Sequence, residues 1–581
     1  GIITGSPIGG SGRNAICTKS PLSNAFNTSE VGGFWGAELK HAGFDMVIVE
    51  GKSEKPVYIL IRDDIVEIKD AGHLWGKSVK ETDELIKKEN EDAMLRTALI
   101  GQGGEKLVRF SCIVNDIGHF AGRGGSGAVM GSKNLKGIAV RGHNPPAASD
   151  PQKVADLAKW MREQIKTPWL EGLHAVGTIA GPVAYSKAGG LGTHNFRDGV
   201  FPDVENISPE NYFEQFGSER DTCYACPVRC KHKINISDTH GYDFTHNHHH
   251  GPEYEALVSY GPLCGISDLQ AIACANELSS AYGIDVLSCG ATVAFAMECF
   301  ENGLITEKDT GGIALNFGNV QAMLQMVEMI GERKGFGDVL AEGTVRAAER
   351  IGKGALHYSM QSRSVEFSMQ NPYFKPILGL GYAVCPTGAD HMRNLNIIHV
   401  IDAEKAGVGS HAESREPYLR QFKSLGLHAP VYRKQLLNNS NIRTLIYSQI
   451  YATAYDSLCM CSFLTRFPPD NLANIINAVT GWETNVWEVM KVGEKGLNMM
   501  RAFNVREGFT REDDNLPQRF FEPLNDGPMK GTKLDKEEFE KSKDTYYAMM
   551  CWDKQGIPSA GKLLELGIDW VADDILGIRV N

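Results

Sequence analysis

The sequence predicts an α+β protein, with a β-rich amino-terminal domain followed by two mainly helical domains. Short runs rich in β-branched residues, bounded by glycine or charged residues, concentrate before residue 145. Longer stretches with helical periodicity dominate the rest of the chain. With 581 residues the chain is too long for one hydrophobic core, so several domains are expected.

The order of the elements follows from these patterns. The clearest strand candidates are residues 45–51, 57–62 and 136–142. Prolines at 145 and 146, and then the run Ser149–Asp150–Pro151, predict a linker and the start of a helix. Helices are expected over residues 151–165, 269–283, 290–302 and 339–350. The predicted domains are 1–145, which is β-rich, and 146–360 and 361–581, which are helical.

Composition excludes several classes of protein. A net charge of −12 argues against nucleic acid as a partner, because phosphate binding needs a basic face. The chain has no run of about 18 apolar residues, so no transmembrane segment is predicted. Its 13 scattered cysteines do not form a disulfide framework and fit a reducing cytoplasm. Gly1 lies inside an apolar, strand-like run, so we expect an amino-terminal segment to be missing.

Three cysteines carry the strongest chemical signal. Cys223, Cys226 and Cys230 form a C-x2-C-x3-C triplet within eight residues. Three thiolates at this spacing can hold one face of a [4Fe–4S] cluster, with a fourth ligand from elsewhere in the chain. A zinc site is the alternative, but zinc usually takes two separated ligand pairs and no second C-x2-C pair is present. The triplet therefore favours an electron-transfer protein over a zinc-stabilised binding protein.

Two glycine-rich stretches with basic residues lie before the triplet. They cover residues 5–33 and 121–133, and each contains arginine and lysine. Glycine lets backbone N–H groups approach a ligand closely, and Arg and Lys add charge-assisted bonds to phosphate. Neither stretch has the spacing of a dinucleotide-binding fingerprint or of a P-loop. Together they predict a large phosphate-bearing cofactor.

These motifs resemble, in the same order and over essentially the whole chain, the tungsten-containing aldehyde:ferredoxin oxidoreductase family. The matching segments are Arg13 with Thr18–Pro21, 32–40, 121–136, 251–255 and the cysteine triplet. The resemblance implies a β domain that cradles a tungsten bis-pyranopterin (molybdopterin) cofactor and two helical domains that close over it. It further implies a ferredoxin or iron–sulfur subunit as electron partner, a small-molecule substrate and an oligomer.

The resemblance also assigns residues to the cluster and the cofactor. A D-x4-C element is matched by Asp456 and Cys461, so Cys461 would complete the cluster and Asp456 would hold a pterin; Cys459 is the competitor by proximity. Glu30 replaces an asparagine whose carbonyl helps to hold magnesium, and because a backbone carbonyl survives this change Mg²⁺ is still expected. The other cofactor-binding candidates are Arg13, Lys19, Gly32, Gly33, His119, Arg123, Gly124, Asp285 and Arg393.

The resemblance also implies which residues serve as acid and base groups. His391 matches the family's active-site histidine, and Glu253 or Glu255 resembles the acidic residue near the metal. Such a pair makes chemical sense because oxidation or reduction at carbon moves protons together with electrons. For Glu253, a residue of a capped loop is the alternative.

Two positions depart from the aldehyde-oxidising pattern. His194 stands where relatives carry arginine, which places a titratable ring in that position. Cys289 lies at the start of a helix, whose N-terminus would favour a thiolate that binds tungsten; a small buried hydrophobic residue is the alternative.

Both departures resemble the active-site subunit of tungsten-dependent, ATP-independent benzoyl-CoA reductases, an offshoot of the family. We therefore predict reduction of an aromatic acyl-CoA to a cyclic diene, with His194 as the proton donor. Oxidation of aldehydes to carboxylic acids is the alternative within the family. A simple iron–sulfur carrier would not need 581 residues.

Overall fold

The computed structural model describes residues 1–217, 219–236, 239, 241–246, 250–394, 437–464 and 467–578. Its amino-terminal part contains eight strands. They are β1 (Asn14–Lys19), β2 (Phe26–Val31), β3 (Val57–Arg62), β4 (Ile65–Asp70), β5 (Arg96–Leu99), β6 (Ile113–Asn115), β7 (His119–Ala121) and β8 (Leu135–Arg141).

A six-stranded mixed sheet forms the centre of this part, in the order β4-β3-β8-β5-β6-β7. Strands β3 and β8 are parallel, and the other neighbours are antiparallel. Strands β1 and β2 form a separate antiparallel hairpin, in register from Asn14 opposite Val31 to Lys19 opposite Phe26. The helices of this part are α1 (Trp35–His41), α2 (Val79–Glu89), α3 (Gln102–Glu105) and α4 (Ser126–Ser132).

The strand predictions for 57–62 and 136–142 are confirmed, and the one for 45–51 is wrong. In that segment Val47 and Val49 pack against the core, while Met46 and Ile48 stay exposed. The alternation that suggested a strand is therefore real, but no described strand pairs with the segment.

The second part is mainly helical, and Asp150 caps its first helix as the sequence predicts. The helices at 151, 269 and 290 are confirmed. The helix expected over 339–350 is broken, because Gly343 adopts a left-handed φ of 83°. The elements are α5 (Pro151–Gln164), α6 (Pro168–Val176), α7 (Gly181–Lys187), α8 (Pro209–Phe216), β9 (Glu219–Asp221), β10 (Lys231–Lys233), α9 (Tyr254–Tyr260), α10 (Leu269–Tyr282), α11 (Val286–Glu301), α12 (Glu307–Thr310), α13 (Val320–Glu332), α14 (Phe336–Leu340) and α15 (Thr344–Ile351).

The third part continues the helical architecture, which confirms the α+β class. One apolar cluster extends from Leu257 to Trp552, across the predicted boundary at residue 360. In the described residues, no helix is both long and apolar enough to cross a bilayer. The elements are β11 (Gln361–Ser362), β12 (Val365–Glu366), α16 (Pro376–Val384), α17 (Asn439–Ser457), α18 (Pro469–Thr480), α19 (Val486–Arg506), α20 (Lys536–Met549) and α21 (Ala560–Glu565). Short 3₁₀ turns cover Val204–Ile207, Pro262–Cys264, Ala355–Tyr358, Ser462–Leu464, Arg511–Asp513 and Gln518–Phe521, and a π-helical turn covers Val571–Leu576.

Candidate metal and cofactor centre

The cysteine triplet occupies the loop between β9 and β10, whose antiparallel pairing holds the two ends of the loop together. The fold brings Cys461, which follows α17, to this loop. Burial, together with the nearby Cys461 and Cys223, raises the pKa of Cys226 to about 12. Burial likewise raises the pKa of Cys230, with Cys461 again among the neighbours that contribute. The four sulfur atoms thus share one buried region.

Cys459, the competing fourth ligand, faces a different environment. Burial raises its pKa, and the carboxylate of Glu30 acts in the same direction. The backbone N–H of Cys461 instead donates to the carbonyl of Gly10 at 3.1 Å, within the first glycine-rich stretch. The placement favours Cys461 as the fourth member of the group.

The cysteines do not form a compact site for a single ion. Among the described residues, no three His, Cys, Asp or Glu side chains converge closely enough to hold one metal ion. This finding gives no support to the zinc alternative, in which four ligands surround one ion. Since burial favours the neutral thiols, four thiolates here would need a cationic counterpart, which the iron atoms of a cluster would supply.

Arg13 connects the cysteines to the hairpin of β1 and β2. Its Nη1 donates to the carbonyl of Glu30 at 3.1 Å, and its Nε is buried without a hydrogen-bond partner. Although burial acts in the opposite direction, Cys461 and Cys223 raise the pKa of Arg13. The Glu30 carbonyl, expected to help hold Mg²⁺, is therefore already engaged by Arg13.

The first glycine-rich stretch touches the cysteine group through Gly32 and Gly33. A Cβ at Gly32 would lie 2.8 Å from the Cys223 sulfur, so only glycine allows this approach. His119 Nδ1 lies 3.9 Å from the same sulfur, and a Cβ at Gly33 would lie 3.0 Å from its ring. Burial and the nearby Lys231 lower the pKa of His119, which keeps the ring neutral.

The second stretch presents Arg123 to the interior. Arg123 has a left-handed φ of 67°, and Gly124 beside it has no room for a Cβ against Asn27. Its Nη2 donates to the carbonyls of Glu366 at 2.5 Å and Ala389 at 2.9 Å, while Nε and Nη1 are buried without partners. Asp285 caps α11 and borders this stretch, because a Cβ at Gly122 would lie 2.9 Å from its Oδ1.

The unpartnered atoms test whether this cradle suits a phosphate-bearing pterin. Buried polar atoms normally have partners, so a group of orphaned donors indicates a ligand that accepts hydrogen bonds. Here the orphaned donors are Arg13 Nε, Thr18 Oγ1, Asn27 Nδ2, Arg123 Nε and Nη1, and Arg393 Nε, and most of them are cationic. The orphaned acceptors on neighbouring residues are Glu255 Oε1 and Glu366 Oε2. The cationic donors fit an anionic cofactor with many acceptor atoms.

Arg393 and Asp456 form an ion pair at this cradle, with 2.8 Å between Nη1 and Oδ2. Burial opposes the effect, but the Asp456 carboxylate raises the pKa of Arg393. Lys19, by contrast, lies on the surface, where its Nζ pairs with Glu507 at 2.5 Å. The structure thus places Asp456 and Arg393 together and Lys19 away from the cradle's interior.

One acid and one base meet beside the cradle. His391 Nε2 lies 3.4 Å from Glu255 Oε1, while Glu255 Oε2 accepts from the backbone N–H of Met369 at 2.8 Å. Glu253 is half exposed, and its carboxylate lies 4.0 Å from Lys231. Of the two glutamates that the sequence left open, the structure therefore brings Glu255 to His391.

Comparison with known proteins matches this architecture. A family model for the aldehyde ferredoxin oxidoreductase N-terminal domain matches residues 1–142, and one for domains 2 and 3 matches residues 156–568. The chain belongs to the aldehyde ferredoxin oxidoreductase family. It is therefore an oxidoreductase.

The relatives extend over nearly the whole chain. It is similar to the tungsten-containing aldehyde ferredoxin oxidoreductase of Pyrococcus furiosus, with 36% identity over 98% of this chain and 89% of the relative. It is also similar to the aliphatic sulfonate oxidoreductase, WOR-like subunit, of the same organism, with 29% identity over 98% of this chain and 87% of the relative. Among solved structures, it resembles the active-site complex BamBC of benzoyl coenzyme A reductase with 1,5-dienoyl-CoA, with a TM-score of 0.79, 25% identity and coverage of 99% of this chain and 88% of that one.

His194 is paired with a different carboxylate from that of the acid–base pair. Its Nδ1 is 2.7 Å from Asp198 Oδ2, and its ring packs on Phe317 with 5.0 Å between centroids. The adjacent Arg197 pairs with Glu301 at the carboxyl end of α11. Among the described residues, no hydrogen bond, ion pair or ring contact joins His194 to His391 or Glu255.

Cys289 lies in the apolar core at the start of α11 and is fully buried. Burial raises its pKa to about 12, although a hydrogen bond with Tyr260 opposes this. The lowering expected from the helix N-terminus is thus outweighed by burial. This placement favours the small buried hydrophobic residue over the thiolate ligand.

Sequence reasoning missed one member of the site. Lys375, which immediately precedes α16, is buried. The carboxylate that acts on its pKa is that of Glu255. Its hydrogen-bond partners are Tyr185, which is distant in the sequence, and Gln370, which is nearby. The only signal in the sequence is a lysine within an otherwise uncharged stretch, from Ser368 to Ala389, of a helical region.

Proposed function

We propose that this chain is a tungsten bis-pyranopterin enzyme with a [4Fe–4S] cluster, and that it oxidises an aldehyde to the carboxylic acid. The observation that supports this most directly is the pairing of His391 with Glu255 beside a cradle of unpartnered cationic donors. The 36% identity to a tungsten-containing aldehyde ferredoxin oxidoreductase, over 98% of this chain, supports the same activity.

In this proposal, the cofactor is held by Arg13, Arg123 and Arg393, with Asp456 paired to Arg393. When bound, it supplies a centre that accepts two electrons from the substrate. The cysteines at 223, 226, 230 and 461 hold the cluster that carries these electrons towards the surface. Arg13 contacts both sites, because it lies next to Cys461 and also lines the cradle.

Side chains of the protein accept the protons that the reaction releases. Oxidation follows RCHO + H2O → RCOOH + 2 H⁺ + 2 e⁻, so each turnover releases two protons in a buried site. His391 Nε2 and the Glu255 carboxylate are the groups that accept a proton from the attacking water. The bond from Met369 N–H to Glu255 Oε2 fixes the carboxylate and leaves Oε1 directed towards His391.

Reduction of an aromatic acyl-CoA is the second candidate function. It is favoured by the likeness to the benzoyl coenzyme A reductase complex, which carries 1,5-dienoyl-CoA. The two residues that suggested this reaction from sequence give it less support. His194 is paired with Asp198, and Cys289 lies in the core.

The electron acceptor in this proposal is a ferredoxin-type iron–sulfur protein. A surface depression of about 330 Å³ lies directly over the cysteine loop, and Cys223 and Cys226 form part of its wall. Phe34 and Arg162 line the same depression and offer an apolar and a cationic contact. A partner seated here would approach the cluster cysteines closely.

The test combines metal analysis with two assays on the purified holoenzyme. We expect about one tungsten and about four irons per chain, by the composition of a cubane cluster. We further expect aldehyde-dependent reduction of benzyl viologen, without reduction of benzoyl-CoA by a low-potential donor. Benzoyl-CoA reduction without aldehyde oxidation would establish the second candidate instead, and stoichiometric zinc without tungsten would overturn both.

A further inference from the structure

We infer that Lys375 is a buried proton-exchanging group that connects the His391–Glu255 pair with Tyr185. The inference rests on the proposed function only in that the reaction releases protons beside His391. It adds a positioning and proton-carrying group that the cofactor cradle does not include.

The surroundings of Lys375 are unusual for a cation. Its side chain is almost fully buried, at 3% exposure. The Nζ donates to the Tyr185 hydroxyl at 3.1 Å and to Gln370 Oε1, and it lies 4.4 Å from the centre of the Tyr185 ring. Both hydrogen-bond partners are neutral. No carboxylate in the described part of the chain forms an ion pair with this ammonium group.

The other buried lysines show the ordinary arrangement. Lys136 pairs with Glu105 at 2.5 Å, and Lys543 pairs with Glu540 at 2.9 Å. A buried ammonium without a paired carboxylate is costly, because its lost hydration is not compensated. Lys375 differs from both because its nearest carboxylate, on Glu255, is shared with His391 instead of being bound to the lysine.

The charged and titratable groups around Lys375 come from three directions. Tyr185 is on α7, and Tyr254 and Glu255 are on α9; Tyr254 donates to the Met369 carbonyl at 2.9 Å. Tyr382 on α16 is held by Ser368, and His391 lies beyond Glu255. Of these, Glu255 is the group that acts electrostatically on Lys375. Burial raises the pKa of Tyr254 and Tyr382, so both stay neutral.

This environment tunes the lysine for proton exchange. Burial lowers the pKa of Lys375 to about 7, with Glu255 acting in the opposite direction. An amine with such a pKa takes up and releases a proton at neutral pH. Tyr185 is only half buried, so it forms the outer end of the path, whereas His391 and Glu255 form the inner end.

The decisive variants are Lys375→Met, which keeps the length of the side chain, and Lys375→Arg, which keeps a charge that does not dissociate. We expect both to lower kcat at neutral pH by about tenfold to a hundredfold, towards the range typical of a lost proton-transfer group. Both should also remove an ionisation near pH 7 from the pH profile of kcat. Tungsten and iron contents should match those of the wild type.

A second readout does not depend on turnover. Because the folded-state pKa is about 7 and the ordinary value is 10.5, the unfolded chain binds more protons between these values. The melting temperature of the wild type should therefore rise, relative to that of Lys375→Met, as the pH rises above 7. A lysine with an ordinary pKa would give parallel curves from pH 7 to 9.

Lys543→Met is the matched control, since it removes a buried lysine that has a carboxylate partner. It should lose stability without changing the pH profile of kcat. Parallel melting curves together with a wild-type pH profile for Lys375→Met would overturn the inference while leaving the proposed aldehyde oxidation intact. If aldehyde oxidation itself fails, the melting curves still show whether Lys375 exchanges a proton near neutral pH.

Discussion

Two arginines in the interior, Arg519 and Arg123, differ in whether the donors of their guanidinium groups have hydrogen-bond partners. Arg519 donates from Nη1 and Nη2 to the two carboxylate oxygens of Glu298, at 2.8 Å and 2.7 Å, and also to the Asn195 carbonyl at 2.7 Å. Arg123 uses only Nη2, on two backbone carbonyls, and leaves Nε and Nη1 without partners.

The difference distinguishes a cation that holds the fold together from a cation that is available to bind a ligand. A buried cation whose donors are all engaged by protein atoms ties segments of the fold together, here α11 and the loop at 195. A buried cation with free donors costs stability in the unliganded protein and gains partners only when an anion binds. The same contrast holds between Lys543, which has a carboxylate partner, and Lys375, which has none among the described residues.

The largest effect should come from the cysteine group. Cys461→Ser should remove the electron paramagnetic resonance signal of the cluster and abolish electron transfer to any acceptor, because one of four ligands is lost. Cys459→Ser is the matched control and should retain both. The reverse result would show that Cys459 is the ligand and that the grouping of sulfur atoms described above is incorrect.

Substitution tests the difference between Arg519 and Arg123 directly. Arg519→Met should lower the free energy of unfolding by about 3–5 kcal/mol, because it leaves Glu298 buried and unpaired. Arg123→Met should change unfolding of the cofactor-free protein far less, yet lower the tungsten content after expression. Urea denaturation and elemental analysis measure the two effects, and equal destabilisation by both substitutions would remove the distinction.

A similar contrast applies to the two histidines. His391→Ala should lower kcat for aldehyde oxidation by about a hundredfold or more, the range for a lost general acid or base. His194→Ala should leave kcat within about threefold of wild type, because its ring is paired with Asp198 and makes no described contact with Glu255. If His194→Ala proves the more damaging and aromatic acyl-CoA is the substrate, the reductase prediction from sequence is correct.

The smallest effect is expected at Cys289. If this thiol only fills the core, Cys289→Ala should cost about 1 kcal/mol of stability and leave the tungsten content unchanged. Loss of tungsten from the purified variant would instead identify the thiol as a metal ligand. Thermal unfolding and elemental analysis on the same preparation distinguish these outcomes.

Local patterns in the sequence were sufficient for much of the fold. Strand β3 and helices α5 and α10 begin and end close to where periodicity and capping residues predict. The segment at 45–51 shows the limit of this reasoning, because a strand also needs a neighbour. Alternating side chains record which face is buried but not whether another strand lies alongside.

At the site, too, local sequence patterns predict some features, and packing decides the others. Glu253 caps the amino-terminal end of α9 with an extended backbone, whereas Glu255 lies in its first turn, so the two side chains leave the chain in different directions. Only packing decides that Glu255 faces His391 while Glu253 stays half exposed next to Lys231. Lys375 could not be found from its neighbours in sequence, since its burial depends on Tyr185, which lies 190 positions earlier.

The sequence by itself determined the β-then-helical order of the chain, the spacing of Cys223, Cys226 and Cys230, and the glycines that allow close approach. These features depend on residues near one another along the chain, where steric and periodic preferences act. The tertiary structure decided that Cys461 lies near the triplet, that His194 pairs with Asp198, and that Lys375 is buried within the electrostatic influence of Glu255. Such facts depend on contacts between distant segments, because burial and electrostatic environment arise only when those segments pack together.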